Sequence, residues 1–240
     1  MFIFFRKVLG YSMIGVIGGT LFCEVDFLKN SIIENVKTSF GETVIQKSDK
    51  VIFINRHGAD KNTPPHLINH PANMEALKKN GVKYVISACS VGSLHSELKI
   101  GSILIPDDYI NFFSSTTVNE AKFFTPSFSK YLREILVKYG KNICEDIIDG
   151  GVYFQTRGPR FETRAEIRMM AQFADIVGMT MAQEASTAQE FDLEYASICS
   201  IDNYANGISN YSISEEDVRK FSKLNADKIR KIVSAVIDSM

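Results

Sequence analysis

The sequence carries no excess charge of either sign: 27 lysines and arginines stand against 28 aspartates and glutamates in 240 residues. A nucleic-acid footprint, or a patch for an anionic membrane, needs such an excess, so neither partner is expected. Cysteine is sparse. Cys23, Cys89, Cys144 and Cys199 lie far apart and form no C-x-x-C pair. That argues against a metal cluster or a disulfide framework and fits a reducing, cytoplasmic compartment. There is no G-x-G-x-x-G and no Walker A loop, which disfavours a dinucleotide or ATP. Internal repeats, low-complexity tracts and linkers are also missing. Apolar residues are plentiful at 45%, enough for the full core of one large domain.

The first 23 residues are mostly apolar with Arg6 and Lys7 among them, and so imitate a signal peptide. No small-residue cleavage site follows. Residues 13–17 read instead as a first buried strand and residues 1–12 as an N-terminal extension, with Met13 a candidate start of translation. Residues 13–240 then form one domain. Short apolar runs recur at 51–54, 82–87, 102–106, 174–177 and 195–201, and suit strands covered on both faces. Residues 73–80, 129–139, 163–173 and 183–191 read as helices. The stretch after Ser214 reads as one long amphipathic helix with a capping-box-like start. This alternation predicts an α/β fold. Residues 62–73 read as loop, because prolines exclude regular structure. His66 and His70 have a metal-like spacing only if helical, and no third ligand is evident, so no metal site is expected.

Candidate chemistry gathers at the predicted strand ends. Gly18-Gly19-Thr20 offers close backbone approach and a hydroxyl, a plausible anion cradle. Arg56 and His57 follow a strand directly, where α/β ligands bind, and offer a forked donor and a second one. The small residues around Cys89 and Ser90 let backbone N–H groups face a ligand. Cys89 has no paired base nearby and reads as a small buried cysteine rather than a nucleophile. Thr180 places a hydroxyl near a helix N-terminus, where an anion is favoured. The stretch 150–166, GGVYFQTRGPRFETRAE, begins like a strand and ends like a helix. Gly158 and Pro159 force a turn that presents Phe161 and Glu162 side by side. A flat heterocycle wants that pair: a ring face to stack on and an acceptor for a ring N–H. A polar connection with one buried Phe is the competing reading of this stretch alone.

Four segments point one way together. GVIGGT, NRHGADKNTPPHLINHPAN, SACSVGSL, and TRGPRFETRAE followed by GMTMAQE resemble the purine nucleoside phosphorylase family, nearest its methylthioadenosine/methylthioinosine phosphorylase branch. The resemblance runs from Met13 to about Ile237 in the family's order. It implies a single α/β domain with a central mixed sheet flanked by helices, a homotrimer or homohexamer, and no metal or cofactor. Inorganic phosphate is then a co-substrate in reversible phosphorolysis of a glycosidic bond. Carried over by position, phosphate would sit among Thr20, Arg56, His57, the Cys89–Ser90 backbone and Thr180. Met179 would lie along the ribose. Phe161 and Glu162 would hold the base, with Asn203 at its N7/O6 edge and Tyr204 and Ala205 beside it. Asn203 and His57 would take the catalytic roles. An ungapped match puts Glu215 near the 5′ substituent, and Phe124 is a candidate contributed by a neighbouring subunit. Two departures stand out: Leu21 follows Thr20 where the family has a third glycine, and Ala205 stands where the methylthioadenosine branch has aspartate.

Phosphate is its own nucleophile, so such an enzyme needs no Ser or Cys nucleophile; it must position phosphate and stabilise an oxocarbenium-like transition state. Asn203 can donate to a 6-oxo group while accepting from a protonated N7. Glu162, if ionised, accepts the N1–H of hypoxanthine or guanine but faces a lone pair on adenine, a mismatch of ~1–3 kcal/mol. The expected substrate is therefore a 6-oxopurine nucleoside: methylthioinosine, inosine or guanosine. This holds if Asn203, and not Asp202, faces the base, since strand neighbours point to opposite faces. Glu215 suits a 5′-hydroxyl, and the branch resemblance suits a 5′-methylthio group. Methylthioadenosine phosphorylase, a hydrolytic nucleosidase and a silent nucleoside-binding module are the alternatives.

Overall fold

Strands that are apolar on both faces are stable only between two layers of helices, and the chain folds that way. The computed structural model describes residues 13–22, 28, 31–112, 123–209 and 215–240. Residues 1–12 and Cys23 lie outside them. The described strands are β1 (Met13–Gly18), β2 (Ile32–Thr38), β3 (Gly41–Lys47), β4 (Val51–Asn55), β5 (Val82–Ser93), β6 (Ile103–Ile105), β7 (Asp108–Ile110), β8 (Ile147–Asp149), β9 (Val152–Gln155), β10 (Ile176–Gly178) and β11 (Glu194–Tyr204). The helices are α1 (His70–Lys79), α2 (Lys130–Ile143), α3 (Arg164–Met170), α4 (Met181–Glu190) and α5 (Glu215–Ser239).

One mixed sheet runs β2-β3-β4-β1-β5-β10-β9-β7, with β11, β6 and β8 branching from β5. The long β5 is the trunk. It pairs in parallel with β1 and β11 and then antiparallel with β10 through Gly92 and Ser93. On one face α1 and α4 bring Met74, Leu77, Ala182 and Ala185 against Ile17, Ile54 and Val85. On the other, α2 and α5 bring Leu132, Leu136, Ile229, Ile232, Val233 and Val236 against Val16, Phe53 and Ile86. The α5 residues recur at helical spacing and are fully buried, each contributing roughly 1.5–3 kcal/mol.

The structure corrects several boundaries. Helix α1 starts at His70 rather than at residue 73. Pro71 occupies its first turn, where a missing N–H loses no helical bond, and the Asn69 side chain caps Ala72 N at 3.1 Å. Strands β5 and β11 continue past Ser87 and Ile201, because each keeps a pairing partner as far as the cleft. Among the described residues, no helix is long and apolar enough to cross a membrane, and no group of three or more His, Cys, Asp or Glu could hold a metal ion.

Candidate active site

The last residues of β4, β5, β10 and β11 open on one cleft of ≈ 150 Å³. Arg56, His57, Ser90, Phe161, Glu162, Met179, Thr180, Asn203 and Ala205 all line it, joined by Pro65, Gly92, Val177 and Val218. Cys89, Tyr204 and Phe124 do not. Cys89 is buried beneath the cleft, its sulfur 3.7 Å from Arg56 Nη2 and 3.9 Å from Thr180 Oγ1. Tyr204 turns away and donates its hydroxyl to the Ser96 carbonyl at 3.2 Å. Phe124 lies on a separate groove with Phe128, Gln189 and Tyr195. The side chains of Thr20 and Glu215 are outside the described residues.

Arg56 is held differently from the free fork expected of it. Its Nε donates to Glu184 Oε1 at 2.6 Å, and its Nη2 donates to Ser87 Oγ at 2.7 Å and Glu184 Oε2 at 3.2 Å. Its Nη1 donates to the Ala88 carbonyl at 2.9 Å. A guanidinium has five N–H groups, so a single Nη1–H is left for a ligand. Ser87 and Tyr195 hydroxyls also donate to Glu184, at 2.7 and 2.9 Å. Burial alone would raise the Glu184 pKa, yet Arg56 first, with His70 and the Ser87 hydroxyl, holds it below the ordinary carboxylate value. The cation beneath the cleft is thus already neutralised, and what it offers a ligand is a fixed direction rather than a net charge.

His57 also departs from the expected role of second donor. Its Nδ1 lies 2.8 Å from the Thr63 carbonyl. A carbonyl only accepts, so the proton sits on Nδ1. Burial, with Arg56 beside it, lowers the His57 pKa from 6.5, leaving the ring neutral at pH 7 with Nε2 as an acceptor. An acceptor there suits the P–OH of a phosphate monoanion or HPO₄²⁻. Gly19 makes room for both groups: a Cβ on it would lie 2.5 Å from Arg56 Nη1 and 3.0 Å from His57 Nε2. Because Glu184 fixes the guanidinium, it cannot step aside. Gly19→Ala is expected to weaken anion binding in the cleft at least about tenfold and to cost ~1–3 kcal/mol of stability, read by calorimetry and chemical denaturation. Leu21, in place of the family's third glycine, turns away from the cleft and is buried in the core with Phe22.

Thr180 precedes α4 and its hydroxyl makes no cap. The first amides of this helix are already taken. Thr180 N and Met181 N donate to Tyr153 Oη at 3.1 and 3.3 Å, and Ala182 N to Gln155 Oε1 at 3.0 Å. The Thr180 hydroxyl, not the helix end, is therefore the donor that faces the cleft.

The loop that carries Phe161 and Glu162 is fixed from three directions. Thr156 Oγ1 donates to Glu162 Oε1 at 2.7 Å, and Asn206 Nδ2 to the Glu162 carbonyl at 3.0 Å. Thr163 and Glu166 form a capping box that starts α3. Arg160 clamps Glu166 at 2.8 and 2.9 Å, and this contact first, then the Thr163 amide, hold the Glu166 pKa down at about 2. Phe161 stays 43% exposed, its ring open to a stacking partner. Gly158 has φ +62°, and a Cβ there would fall 2.5 Å from the Met179 sulfur; glycine lets this loop close over the methionine.

Asn203 enters the cleft and Asp202 does not. Ile201 pairs with Val91 and Asn203 with Gly92, so Asp202 is the extra residue of a bulge, a device that re-aims the next side chain. Asn203 Nδ2 donates to the Tyr204 carbonyl at 3.0 Å, leaving Oδ1 and a second amide proton for a ligand. The sequence alone gives Glu184 no role beyond its place in the GMTMAQE segment, and carries no signal that singles out Thr156, Ser222 or Val218.

Residues 13–238 match the sequence model of the Phosphorylase superfamily. A probable 6-oxopurine nucleoside phosphorylase of Archaeoglobus fulgidus is 47% identical over 232 residues, covering 94% of this chain and 96% of its own. A probable S-methyl-5′-thioinosine phosphorylase of Methanocaldococcus jannaschii is 38% identical, covering 94% and 92%. In fold, the methylthioadenosine phosphorylase of Schistosoma mansoni in complex with adenine superimposes with a TM-score of 0.85 at 23% identity, over 95% of this chain and 91% of that one.

Proposed function

The chain belongs to the Phosphorylase superfamily, and we propose that it splits 6-oxopurine nucleosides with phosphate, giving the free base and a ribose 1-phosphate. The observation that carries this reading is the placement of Asn203 rather than Asp202 in the cleft, opposite Glu162. On the base side, Glu162 Oε1 is occupied by Thr156, and Oε2 accepts the purine N1–H. Asn203 accepts from N7 as it becomes protonated and donates to O6, meeting the negative charge that builds on the leaving base. On the phosphate side, Arg56 Nη1, the Thr180 and Ser90 hydroxyls and the Gly18-Gly19 backbone aim the anion at the anomeric carbon, while His57 Nε2 takes its P–OH. Alignment at near-attack distance supplies much of the rate. The names borne by the relatives at 47% and 38% identity fit this substrate class.

For the 5′ end, Val218 lies one turn along α5 from Glu215 and lines the cleft with an apolar group. That favours a 5′-methylthio nucleoside as a second substrate beside inosine and guanosine. The reading further takes the enzyme to be a cytoplasmic homotrimer or homohexamer, using no metal or cofactor, with residues 1–12 as an extension of the 13–240 domain. The test of the reaction type is ³¹P NMR of inosine with phosphate. A new sugar 1-phosphate resonance growing as inorganic phosphate falls is expected; base release with an unchanged phosphate signal would make the protein a hydrolase.

A further inference from the structure

The bulge that turns Asn203 into the cleft sends Asp202 the other way, into full burial. There its Oδ1 accepts from Ser200 Oγ and its Oδ2 from Ser222 Oγ of α5. Asn225 Nδ2 donates to Ser200 Oγ at 2.8 Å. Ser222 Oγ also lies 3.3 Å from Ser90 Oγ, the hydroxyl that lines the cleft. Asp202, Ser222 and Ser90 are therefore linked by hydrogen bonds that run from a buried carboxyl to the cleft.

A hydroxyl has one proton, and that fixes the direction of the chain. With Asp202 ionised, Ser222 must donate to it. Ser90 then donates inward, to Ser222 or to the carboxylate itself, and turns a lone pair to the cleft. With Asp202 protonated, the carboxyl donates to Ser222, Ser222 to Ser90, and Ser90 is left to donate to the ligand. We propose that Asp202 is a positioning residue that sets the polarity of Ser90, so that one proton taken from solvent converts Ser90 from an acceptor into a donor for the bound anion. The proposal rests on the reading of this cleft as a phosphate site.

Among the described residues, nothing around Asp202 competes with this role. The groups facing it are the Ser200 hydroxyl of β11, the Ser90 hydroxyl of β5 and the Ser222 hydroxyl of α5, with the Asn225 amide behind Ser200. Among the described residues no lysine, arginine, histidine or second carboxylate adds to its charge balance. Arg56, Glu184 and Cys89 belong to the opposite side of β5, since Cys89 and Ser90 are strand neighbours. Burial without a cation raises the Asp202 pKa to about 6, the three hydroxyls opposing the rise. Both protonation states are thus reachable near neutrality.

Sulfate is the probe of choice, because its charge is constant from pH 5 to pH 8 while it accepts hydrogen bonds as phosphate does. Asp202→Asn imitates the protonated carboxyl: its amide donates to Ser222 and its carbonyl accepts from Ser200. By calorimetry, wild type and D202N are expected to bind sulfate equally at pH 5. At pH 8 D202N should bind about tenfold tighter, the worth of one hydrogen bond to a charged group. His57 titrates alike in both proteins, so the difference between them isolates position 202. Ser90→Ala removes the hydroxyl whose polarity is set and should abolish the difference: S90A and S90A/D202N should bind alike at both pH values. If D202N does not fold, S90A alone should show a flatter pH dependence than wild type. An identical pH 8 to pH 5 affinity ratio in wild type and D202N, or a D202N effect that survives S90A, would overturn the proposal while leaving the phosphorylase reading intact. No binding of sulfate or phosphate at any pH would remove both.

Discussion

Glu184→Ala should lower the stability of the protein by about 3–5 kcal/mol, the range for removing one partner of a buried ion pair, and should reduce phosphate-dependent turnover at least about a hundredfold. Glu184 and Arg56 are 1% and 4% exposed. Without the carboxylate, the guanidinium stays buried without its counter-ion, and the Ser87 and Tyr195 hydroxyls lose their acceptor. The remaining Nη1–H then no longer has a fixed direction. The pH dependence has a definite sign. The folded pKa of Glu184 lies below its ordinary 4.5, so its stabilisation is complete above that value and is lost as pH falls through the folded pKa. Urea denaturation of wild type between pH 7 and pH 3 should therefore include an acid loss that Glu184→Ala does not show. A variant that keeps wild-type stability and turnover would mean that Glu184 is dispensable to Arg56.

Asn203→Asp should reverse the choice of base. Aspartate keeps the acceptor for a protonated N7 and removes the amide donor that meets O6, placing an anion beside an oxygen lone pair. The kcat/KM for inosine is expected to fall by about 10²–10³, at roughly 1.4 kcal/mol per tenfold. Adenosine, whose 6-amino group can donate to the new carboxylate, should lose little or gain. Glu162 still disfavours the bare N1 of adenine, so Asn203→Asp combined with Glu162→Gln should move the ratio further than either change alone. Competition between inosine and adenosine in one vessel measures that ratio directly. An unchanged ratio would place the selection elsewhere in the cleft.

The strand-end chemistry is legible in the sequence for a physical reason. Short apolar strands must end at the edge of the sheet, so Arg56, His57, Ser90, Thr180 and Asn203, each just past or near the end of such a run, converge whatever the details of packing. The turn at Gly158 is legible for the same local reason, its φ of +62° being one that glycine adopts freely. What escapes the sequence is pairing over distance. Glu184 sits 128 residues from Arg56, inside a helix where a carboxylate reads as solvated. The role of His57 also escapes, because it hangs on the carbonyl of Thr63 across a loop with no regular periodicity. Pro71 reads as a breaker in the sequence and so delays the expected start of α1, whereas a proline in the first turn is tolerated. The lengths of β5 and β11 were understated because their last residues, around Gly92 and Asp202, are small or polar. Only pairing shows that they still belong to the sheet, and that a bulge chooses between Asp202 and Asn203.

The most direct measurement is base release from inosine, methylthioinosine and methylthioadenosine, each with and without phosphate. Hypoxanthine release that requires phosphate, with methylthioadenosine inert, is the expected result, and the faster of the two oxopurine substrates identifies the group that Val218 faces. Efficient adenine release would contradict the assignment of Asn203 and Glu162 as the selecting pair, and release without phosphate would contradict phosphorolysis itself.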